Sequence, residues 1–408
     1  MVDYLKNNRI KSFFALGVFL FSISLLLPFN LRNISTFIFA FIIIVSIPSL
    51  KNLKLFKSKL LVVNTLFFFV MVISLSYSSD IDFGSTRILV FLPLLIMPVS
   101  FYVIKVKLIS ITEKQLHLFY FSFFIATILF LVSVFLHNYI NGYLTRTIFI
   151  HYPYRMDVGY GDYSMHSIYM SLYVGIAIIF SVPLIEKTKN KKRQILIITG
   201  TFFLLLILLM LARKSIIITT FLIFTFYYFK QKSRLKNNFI IGFGLILVLL
   251  AVYSLEPLNQ RFLEFLNSIL GKNNGLFGST TMRIEIYNCA FESIIKQPLF
   301  GFGIGDVKNT LEQCFIENKN IFEGKYFNSH NQYLSSWLAS GIFGLISLIT
   351  MLFFNLKIAL CNKNFESTAI ILLFIIVMFT ENILERQDGV MLVAFFINFF
   401  AFKNITKN

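Results

Sequence analysis

Apolar runs of near-membrane length follow one another from end to end of this sequence. A transmembrane helix needs about 20 mostly apolar residues, or about 17 when it is short. Twelve runs approach that length, at 13–28, 34–50, 60–76, 88–104, 116–137, 165–185, 195–212, 215–229, 239–254, 332–355, 366–380 and 390–402. With 57% hydrophobic and 14% charged residues, the chain is unlike disordered, fibrous and almost all soluble enzyme classes. The sequence therefore predicts an all-α fold, a polytopic membrane bundle of about 12 transmembrane helices that spans 1–408 as a single domain.

The net charge of +18 would suggest a nucleic-acid partner in a soluble protein, so its distribution decides what it means. If the N-terminus is cytoplasmic, the inner segments hold most of the 37 Lys and Arg and few of the 19 acids, and the outer side is nearly neutral. This is the positive-inside pattern of short membrane loops. The charge therefore predicts orientation, with both termini cytoplasmic, and nucleic-acid binding is left without support.

Arginine is concentrated on the outer side, whereas the inner side is rich in lysine. A planar, permanently charged guanidinium makes two-point contacts with phosphate or carboxylate that an ammonium group cannot make. We therefore expect an anionic ligand on the outer face. The alternative is that individual arginines pair with outer acidic residues, and the sequence leaves this open for each of them.

Two outer connections are long, 138–164 and 255–331, and the second forms one large loop between spans 9 and 10. Long connections on a rigid scaffold often carry functional residues. Within the large loop, 280–297 is predicted to be an amphipathic helix with Arg283 in its first turn. The glycine-rich segment 301–305 follows this helix rather than a strand, which favours a close backbone turn over a nucleotide-phosphate loop.

Two of the three cysteines, Cys289 and Cys314, lie in the large outer loop, and Cys361 lies on the inner side. An oxidising outer compartment could join the first two and leave the third free. Without distances this pairing stays open. No spacing of Cys, His or acidic residues resembles a zinc or calcium site, so we expect no structural metal.

One histidine stands in an unusual setting. His330-Asn331 is followed after nine residues by Gly341 and after two more by Gly344. This spacing resembles the signature of the O-antigen ligase family, bacterial membrane enzymes that join lipid-carried glycan to the lipid A core.

Further elements of the same family occur in the expected order. Arg213 opens an outer hairpin and is similar to the family's first Arg element, although Ile217 stands where Leu is usual. The segment 281–305 is similar to the second, an Arg-led helix followed by a Pro and Gly turn, with Arg283 as its arginine. His166 lies in a weaker match, because the family usually has Pro or Asn after that histidine and this chain has Ser.

The resemblance implies an active site on the periplasmic face of the bacterial inner membrane. The donor would be a glycan on undecaprenyl diphosphate, and the acceptor would be lipid A core or another glycan. Such a transfer needs a base to deprotonate the acceptor hydroxyl and cations to hold the departing diphosphate. The resemblance implies His330 as the catalytic base, Arg213 and Arg283 as catalytic, diphosphate-binding residues, and Asn331 and His166 as further substrate contacts.

The chemistry agrees with these roles. Histidine titrates near neutral pH, which suits a general base. Guanidinium groups bind diphosphate and stabilise the charge that builds on it during transfer. Arg155, in the shorter outer loop, is a third candidate contact. Attack from the face opposite the diphosphate would invert the anomeric centre, and two permanent Arg charges could replace a divalent ion, so no cofactor is expected.

Three alternatives remain. An O-antigen polymerase, which extends lipid-linked glycan, shares much of the same signature. A transporter or flippase usually places charged groups near the membrane midplane, and these spans are mostly Phe, Leu and Ile. In a purely structural membrane protein, His330 would cap a helix, the two glycines would allow close helix packing, and the arginines would anchor at lipid headgroups.

Overall fold

The computed structural model describes residues 2–50, 58–141, 156, 160–230, 259, 263, 279–318, 327–402 and 405–406. Internal contacts divide the chain into two compact units. The first unit comprises Met1–Val18, Asn33–Glu113 and Thr281–Asn408, and the second comprises Phe19–Arg32 and Lys114–Thr280. A single domain over 1–408 stays a prediction.

The described residues are helical almost throughout. The helices are α1 (Val2–Ser22), α2 (Ile34–Leu50), α3 (Lys59–Leu75), α4 (Ile81–Phe91), α5 (Pro93–Val106), α6 (Glu113–Ile140), α7 (Ser167–Lys187), α8 (Lys191–Leu211), α9 (Lys214–Lys230), α10 (Ser279–Lys296), α11 (Val307–Glu317), α12 (Gln332–Cys361), α13 (Phe365–Val377) and α14 (Gln387–Phe402). A two-residue parallel pairing of β1 (Ile111–Thr112) with β2 (Ile405–Thr406) is the only strand structure among the described residues.

Among the described residues, six helical stretches are long and apolar enough to cross a membrane, namely Phe29–Ile47, Ile81–Val106, Glu113–Ile140, Ser167–Lys187, Lys191–Leu211 and Gln332–Cys361. Four shorter apolar helices are Lys59–Leu75, Lys214–Thr225, Phe365–Val377 and Gln387–Phe402. The prediction of an all-α membrane protein is confirmed. The number of twelve spans and the large periplasmic loop stay predictions, since 239–254 and much of 255–331 lie outside the described residues.

The observed helix bounds differ from the predicted runs where local chemistry interrupts the helix. The run 13–28 is helical only to Ser22 and continues in short 3-10 turns. Two helices cover the run 88–104. The first begins at Ile81, and the second begins at Pro93, whose missing N–H suits the first position of a helix.

The first unit is held together by apolar packing and by a chain of buried amides. Helix α3 packs against α12, and α5 packs against α14, where the rings of Phe101 and Phe395 meet edge-on at 5.6 Å. Asn355 donates to Asn64 Oδ1 at 2.6 Å, and Asn64 donates to Asn398 Oδ1 at 2.8 Å. This chain joins α3, α12 and α14 through neutral groups that pair with one another, as polar groups buried in apolar surroundings require.

In the second unit, α7 packs against α8 and α9, and most of its side chains are buried. The apolar stretch 195–229 is split as predicted, because α8 ends at Leu211 and α9 begins at Lys214. Ala212 between them adopts a left-handed conformation with φ +53°. That conformation reverses the chain within about two residues and places Arg213 at the tip of the hairpin.

Contacts within each unit join segments that the sequence places on the same side of the membrane. In the first unit, the outer segments meet through Arg87 and Glu385, whose side chains are 3.2 Å apart, and the inner segments meet through β1 and β2. In the second unit, outer Arg32 donates to backbone carbonyls in the outer segment 163–164. Within each unit, these contacts therefore agree with the predicted alternation of inner and outer segments. Which side faces the periplasm stays a prediction.

Candidate active site

The start of α12 positions His330. Asn331 caps this helix, since its side-chain oxygen accepts from the backbone N–H groups of Tyr333 at 2.9 Å and Leu334 at 3.2 Å. His330, immediately before the cap, has φ +44°, a left-handed conformation that is uncommon for residues other than glycine. Its backbone N–H donates to Asn328 Oδ1 at 3.1 Å. Such strain is often retained where a side chain must be aimed.

A buried carboxylate joins two of the predicted site residues. The side chain of Glu381, only 7% exposed, lies in the segment between α13 and α14. Its Oε1 accepts from Arg283 Nη2 at 2.7 Å, and its Oε2 lies 3.6 Å from His330 Nδ1. The second distance is within ion-pair range and longer than a hydrogen bond. Glu381 thus brings His330 and Arg283 to one place in the first unit.

Helix α10 delivers Arg283 to this place, and Tyr287 one turn later fixes the backbone beside it. The Tyr287 hydroxyl lies 3.2 Å from the carbonyl oxygens of both His330 and Phe379, between which its single proton is shared. Burial raises the pKa of Tyr287, Glu381 raises it further, and Arg283 opposes the shift. The phenol therefore remains a donor throughout the physiological pH range.

A disulfide fixes α10 against α11. Cys289 and Cys314 are bonded, with their Cα atoms 5.7 Å apart, so the pairing that the sequence left open is formed. Around it, apolar residues of both helices pack against Leu334 and Leu338 of α12. Cys361 is a free, exposed thiol. Although Glu292 lies beside the paired sulfurs, a disulfide offers no thiolate for a metal ion.

The turn after α10 is built into a break in α12. At Ser340 and Gly341 the backbone of α12 is non-helical, and Gly341 has φ +62°. The freed carbonyls of Leu338 and Ala339 accept from the N–H groups of Phe302 at 2.8 Å and Gly303 at 3.0 Å. This confirms that 301–305 forms a close backbone turn.

The two glycines of the family signature have a steric explanation in this turn. A Cβ atom on Gly341 would lie 1.9 Å from the carbonyl oxygen of Leu299. One on Gly344 would lie 2.0 Å from Ser340 Oγ and 2.6 Å from the Ser336 carbonyl oxygen. Neither position has room for a side chain, and only glycine adopts the backbone of Gly341 without strain. The turn in this way fixes the C-terminal end of α10, and with it the helix that carries Arg283.

The second unit brings together two more of the predicted site residues. Arg213 lies against Ser167, the first residue of α7, with its Nε 3.1 Å from Ser167 Oγ. His166 is the N-cap of α7, and its Nδ1 lies 3.4 Å from the backbone nitrogen of Ile168. Arg213 and His166 are therefore neighbours within this unit.

The structure separates the outer arginines by their partners. Arg32 is buried and donates to three backbone carbonyls, and Arg87 is paired with Glu385. Arg87 and Arg283 follow the alternative in which outer arginines pair with outer acidic residues, whereas Arg32 pairs with carbonyl oxygens. Arg155 lies outside the described residues. Asn331 is committed to a helix cap, and its contact with substrate stays a prediction.

In the first unit, described residues line a larger and a smaller cavity. The larger, about 290 Å³, is lined by residues of 355–371 and 397–401 at the inner end, with no titratable side chain among them. A smaller one, about 50 Å³, is lined by Asn328 and Gln332, which flank the His330-Asn331 pair, and by Arg87 and Lys308. By volume alone, the inner cavity would be the candidate active site. The region around His330 is the better candidate because it has acid–base and charged side chains.

Glu381 is the site residue that sequence reasoning missed. It lies after the predicted eleventh span, in a segment that also contains Glu385 and Arg386. The sequence signal for Glu381 was its predicted outer position next to the end of a span. Other acidic residues share that position, so it did not single out Glu381. Only the fold shows that this carboxylate is buried and faces His330.

Residues 198–349 match the sequence model of a family described as O-antigen ligase. The matched stretch contains Arg213, Arg283, His330 and the glycines at 341 and 344, whereas Glu381 lies beyond it. A comparison with curated proteins gave no match. The family resemblance predicted from the motifs is thereby confirmed, and this chain carries the O-antigen ligase family domain at residues 198–349.

Proposed function

We propose that this protein is an O-antigen ligase-like membrane glycosyltransferase. It would move glycan from undecaprenyl diphosphate to a hydroxyl of the lipid A core on the periplasmic face. One observation carries the proposal: His330 and Arg283, from different helical segments of the first unit, meet at the buried carboxylate of Glu381. A base beside a guanidinium is the pair that transfer from a lipid diphosphate needs.

His330 is proposed as the general base. Its Nδ1 faces Glu381, and the imidazole ring, about a third exposed, has its Nε2 on the opposite edge. Nε2 would accept the proton of the acceptor hydroxyl as that oxygen attacks the anomeric carbon. The carbon–oxygen bond to the diphosphate breaks, and its electron pair leaves with the diphosphate. Attack from the opposite face inverts the anomeric centre.

Arg283 is proposed to bind the leaving diphosphate. Its hydrogen bond to Glu381 uses Nη2, while the side chain remains 31% exposed. The remaining N–H groups suit phosphate oxygens, whose charge grows as the bond breaks. Arg213 is proposed as a second diphosphate ligand from its motif and its place at the tip of an outer hairpin, with Arg155, Asn331 and His166 as further contacts.

Glu381 is proposed as a positioning residue. Its Oε2 lies beside Nδ1 of His330 and holds the ring so that Nε2 stays open to the acceptor. Carboxylate–histidine pairs serve this purpose in other acyl- and group-transfer sites. Because the same carboxylate holds Arg283, the spacing between base and diphosphate ligand is set by one side chain.

The test is restoration of lipopolysaccharide in cells that make lipid-linked O-chains and lack their own ligase. The wild-type chain should place O-chain on lipid A core, whereas His330→Ala and Arg283→Ala should not. Arg386→Ala, at an exposed arginine of the same predicted outer side, is the control for loss of positive charge. If wild-type protein lengthens lipid-linked chains without attaching them to core, the protein is a polymerase. If both site variants restore O-chain as well as wild type, the catalytic assignment is wrong.

A further inference from the structure

Helix α10 presents an apolar face that the described part of the chain leaves exposed. Its buried face packs against α11 and α12, with Ile286, Cys289, Ala290 and Ile294. A second apolar face is exposed, with Ile284, Phe291 and Ile295, the last 77% exposed. Leu299 and Phe300, 58% and 63% exposed, extend it beyond the helix. A surface helix in water needs one apolar face, so the second face requires another apolar environment.

This exposed face is continuous with that of a candidate membrane span. The ring of Phe300 lies 5.8 Å from the ring of Phe343 on α12. Phe343 and Ile346 are each more than half exposed within Gln332–Cys361, which is long and apolar enough to cross a bilayer. Exposed large apolar side chains on such a helix face lipid. The same lipid would reach Phe300.

The hydrogen bonds of the turn set its depth. Residues 298–303 bond to 337–342 of α12, of which Leu338 lies six residues after the first residue of that helix. At 1.5 Å per residue this is about 10 Å along the helix. The Tyr77 hydroxyl donates to the Phe300 carbonyl at 2.7 Å, and Trp337 Nε1 donates to the Pro298 carbonyl at 3.0 Å. Tyr and Trp with one polar tip are enriched where acyl chains meet headgroups.

The backbone of the turn is prepared for such surroundings. Irregular backbone at membrane depth is tolerated only where its polar groups are paired. The N–H groups of Gly301, Phe302 and Gly303 all donate to carbonyl oxygens, two of which the break in α12 supplies. The third face of α10 stays polar, where Lys296 pairs with Glu317 at 3.0 Å and both side chains are about half exposed. A helix with one lipid face and one charged face belongs at the bilayer boundary.

We propose that the exposed apolar face of α10 and the turn at 298–300 are embedded in the outer leaflet, at the boundary of headgroups and acyl chains. The surface formed by Ile284, Phe291, Ile295, Leu299 and Phe300 binds lipid acyl chains. The first turn of the same helix then holds Arg283 beside the bilayer surface. There it would meet the diphosphate of a lipid-linked donor whose hydrocarbon tail lies along this surface. That last consequence rests on the proposed function, whereas the embedding does not.

The test measures depth without measuring activity. Cys361→Ser removes the free thiol, and Ile295→Cys or Phe300→Cys then accepts a nitroxide label in the full chain. The labelled protein is placed in phosphatidylethanolamine–phosphatidylglycerol vesicles. Accessibility to oxygen, which collects in lipid, is compared with accessibility to a water-soluble nickel chelate. Gln313→Cys, on an exposed position of α11, is the matched control.

Labels at 295 and 300 should be more accessible to oxygen than to the nickel chelate, and the label at 313 should show the reverse. Trp337, the single tryptophan of the chain, provides a check without substitution. Lipids brominated near the headgroup end of the acyl chain should quench it more than lipids brominated near the chain end. Nickel accessibility at 295 and 300 equal to that at 313 would overturn the embedding. Protection from both reagents would also overturn it, because protein would then cover the surface. If the surface is embedded as expected but the wild-type protein transfers no glycan, that result would count against the proposed function alone.

Discussion

Glu381 Oε2 lies 3.6 Å from His330 Nδ1, although helices α12 and α13 separate the two residues in the chain. The other oxygen of the same carboxylate accepts from Arg283 at 2.7 Å. One buried acid therefore holds both the proposed base and a proposed diphosphate ligand. Its charge is balanced in the fold by Arg283, so the stability of this region and its chemistry are coupled.

Removal of Arg283 should destabilise the first unit as well as stop transfer. Arg283→Gln leaves Glu381 buried without its cation, which should lower stability by about 2 kcal/mol or more. The double variant Arg283→Gln/Glu381→Gln should regain part of that loss, because a neutral amide needs no counter-charge. Thermal unfolding of the purified protein in detergent measures both. A double variant no more stable than Arg283→Gln would contradict the coupling.

Replacement of Glu381 alone should impair turnover more than binding. Glu381→Gln keeps the shape of the side chain and loses the charge that orients His330. We expect kcat to fall by about 10- to 100-fold, within the contribution of a general base, while the KM for the acceptor changes little. Glu381→Asp should recover part of the loss. A rise in KM at constant kcat would instead indicate a role in acceptor binding.

Gly341 should tolerate no side chain. In Gly341→Ala the new Cβ meets the Leu299 carbonyl oxygen at 1.9 Å and the residue has φ +62°, so both the break in α12 and the turn must shift. Gly161→Ala is the control, because Gly161 has φ +56° with nothing within 4 Å of an added Cβ. The control should lose about 1 kcal/mol from backbone strain alone, and Gly341→Ala should lose several-fold more in thermal unfolding. Equal losses of stability in the two variants would show that the turn can move away from Gly341 at little cost.

The cysteines test the predicted sides of the membrane. The Cys289–Cys314 disulfide should form in cells with an oxidising periplasm, and Cys361 should stay reduced. In intact cells, Cys361 should react with a membrane-permeant maleimide and not with an impermeant one. Labelling of Cys361 by the impermeant reagent would reverse the assigned orientation. Cys289→Ser/Cys314→Ser should lower stability by about 3 kcal/mol, as expected for a closed loop of this length.

Local signals allowed several features to be predicted from sequence. The hairpin at Arg213 was visible because charges interrupt an apolar stretch, and α10 was visible because Pro298 ends an amphipathic pattern. The break in α12 at Gly341 was not visible in the sequence. It depends on contact with the turn at 298–303, and the residues around Gly341 have the pattern of a continuous helix. Glu381 was missed for a similar reason, because burial and pairing depend on contacts between distant segments.

The central claim is that His330 is the base for transfer of glycan from a lipid diphosphate. The most direct test uses the purified chain in lipid nanodiscs, with glycan on undecaprenyl diphosphate as donor and lipid A core as acceptor. His330→Gln should lower kcat by about 100- to 10,000-fold while donor binding, measured separately, is retained. His117→Gln, at a histidine near the start of the predicted span 116–137, should leave kcat unchanged. Transfer by His330→Gln at the wild-type rate would contradict the account.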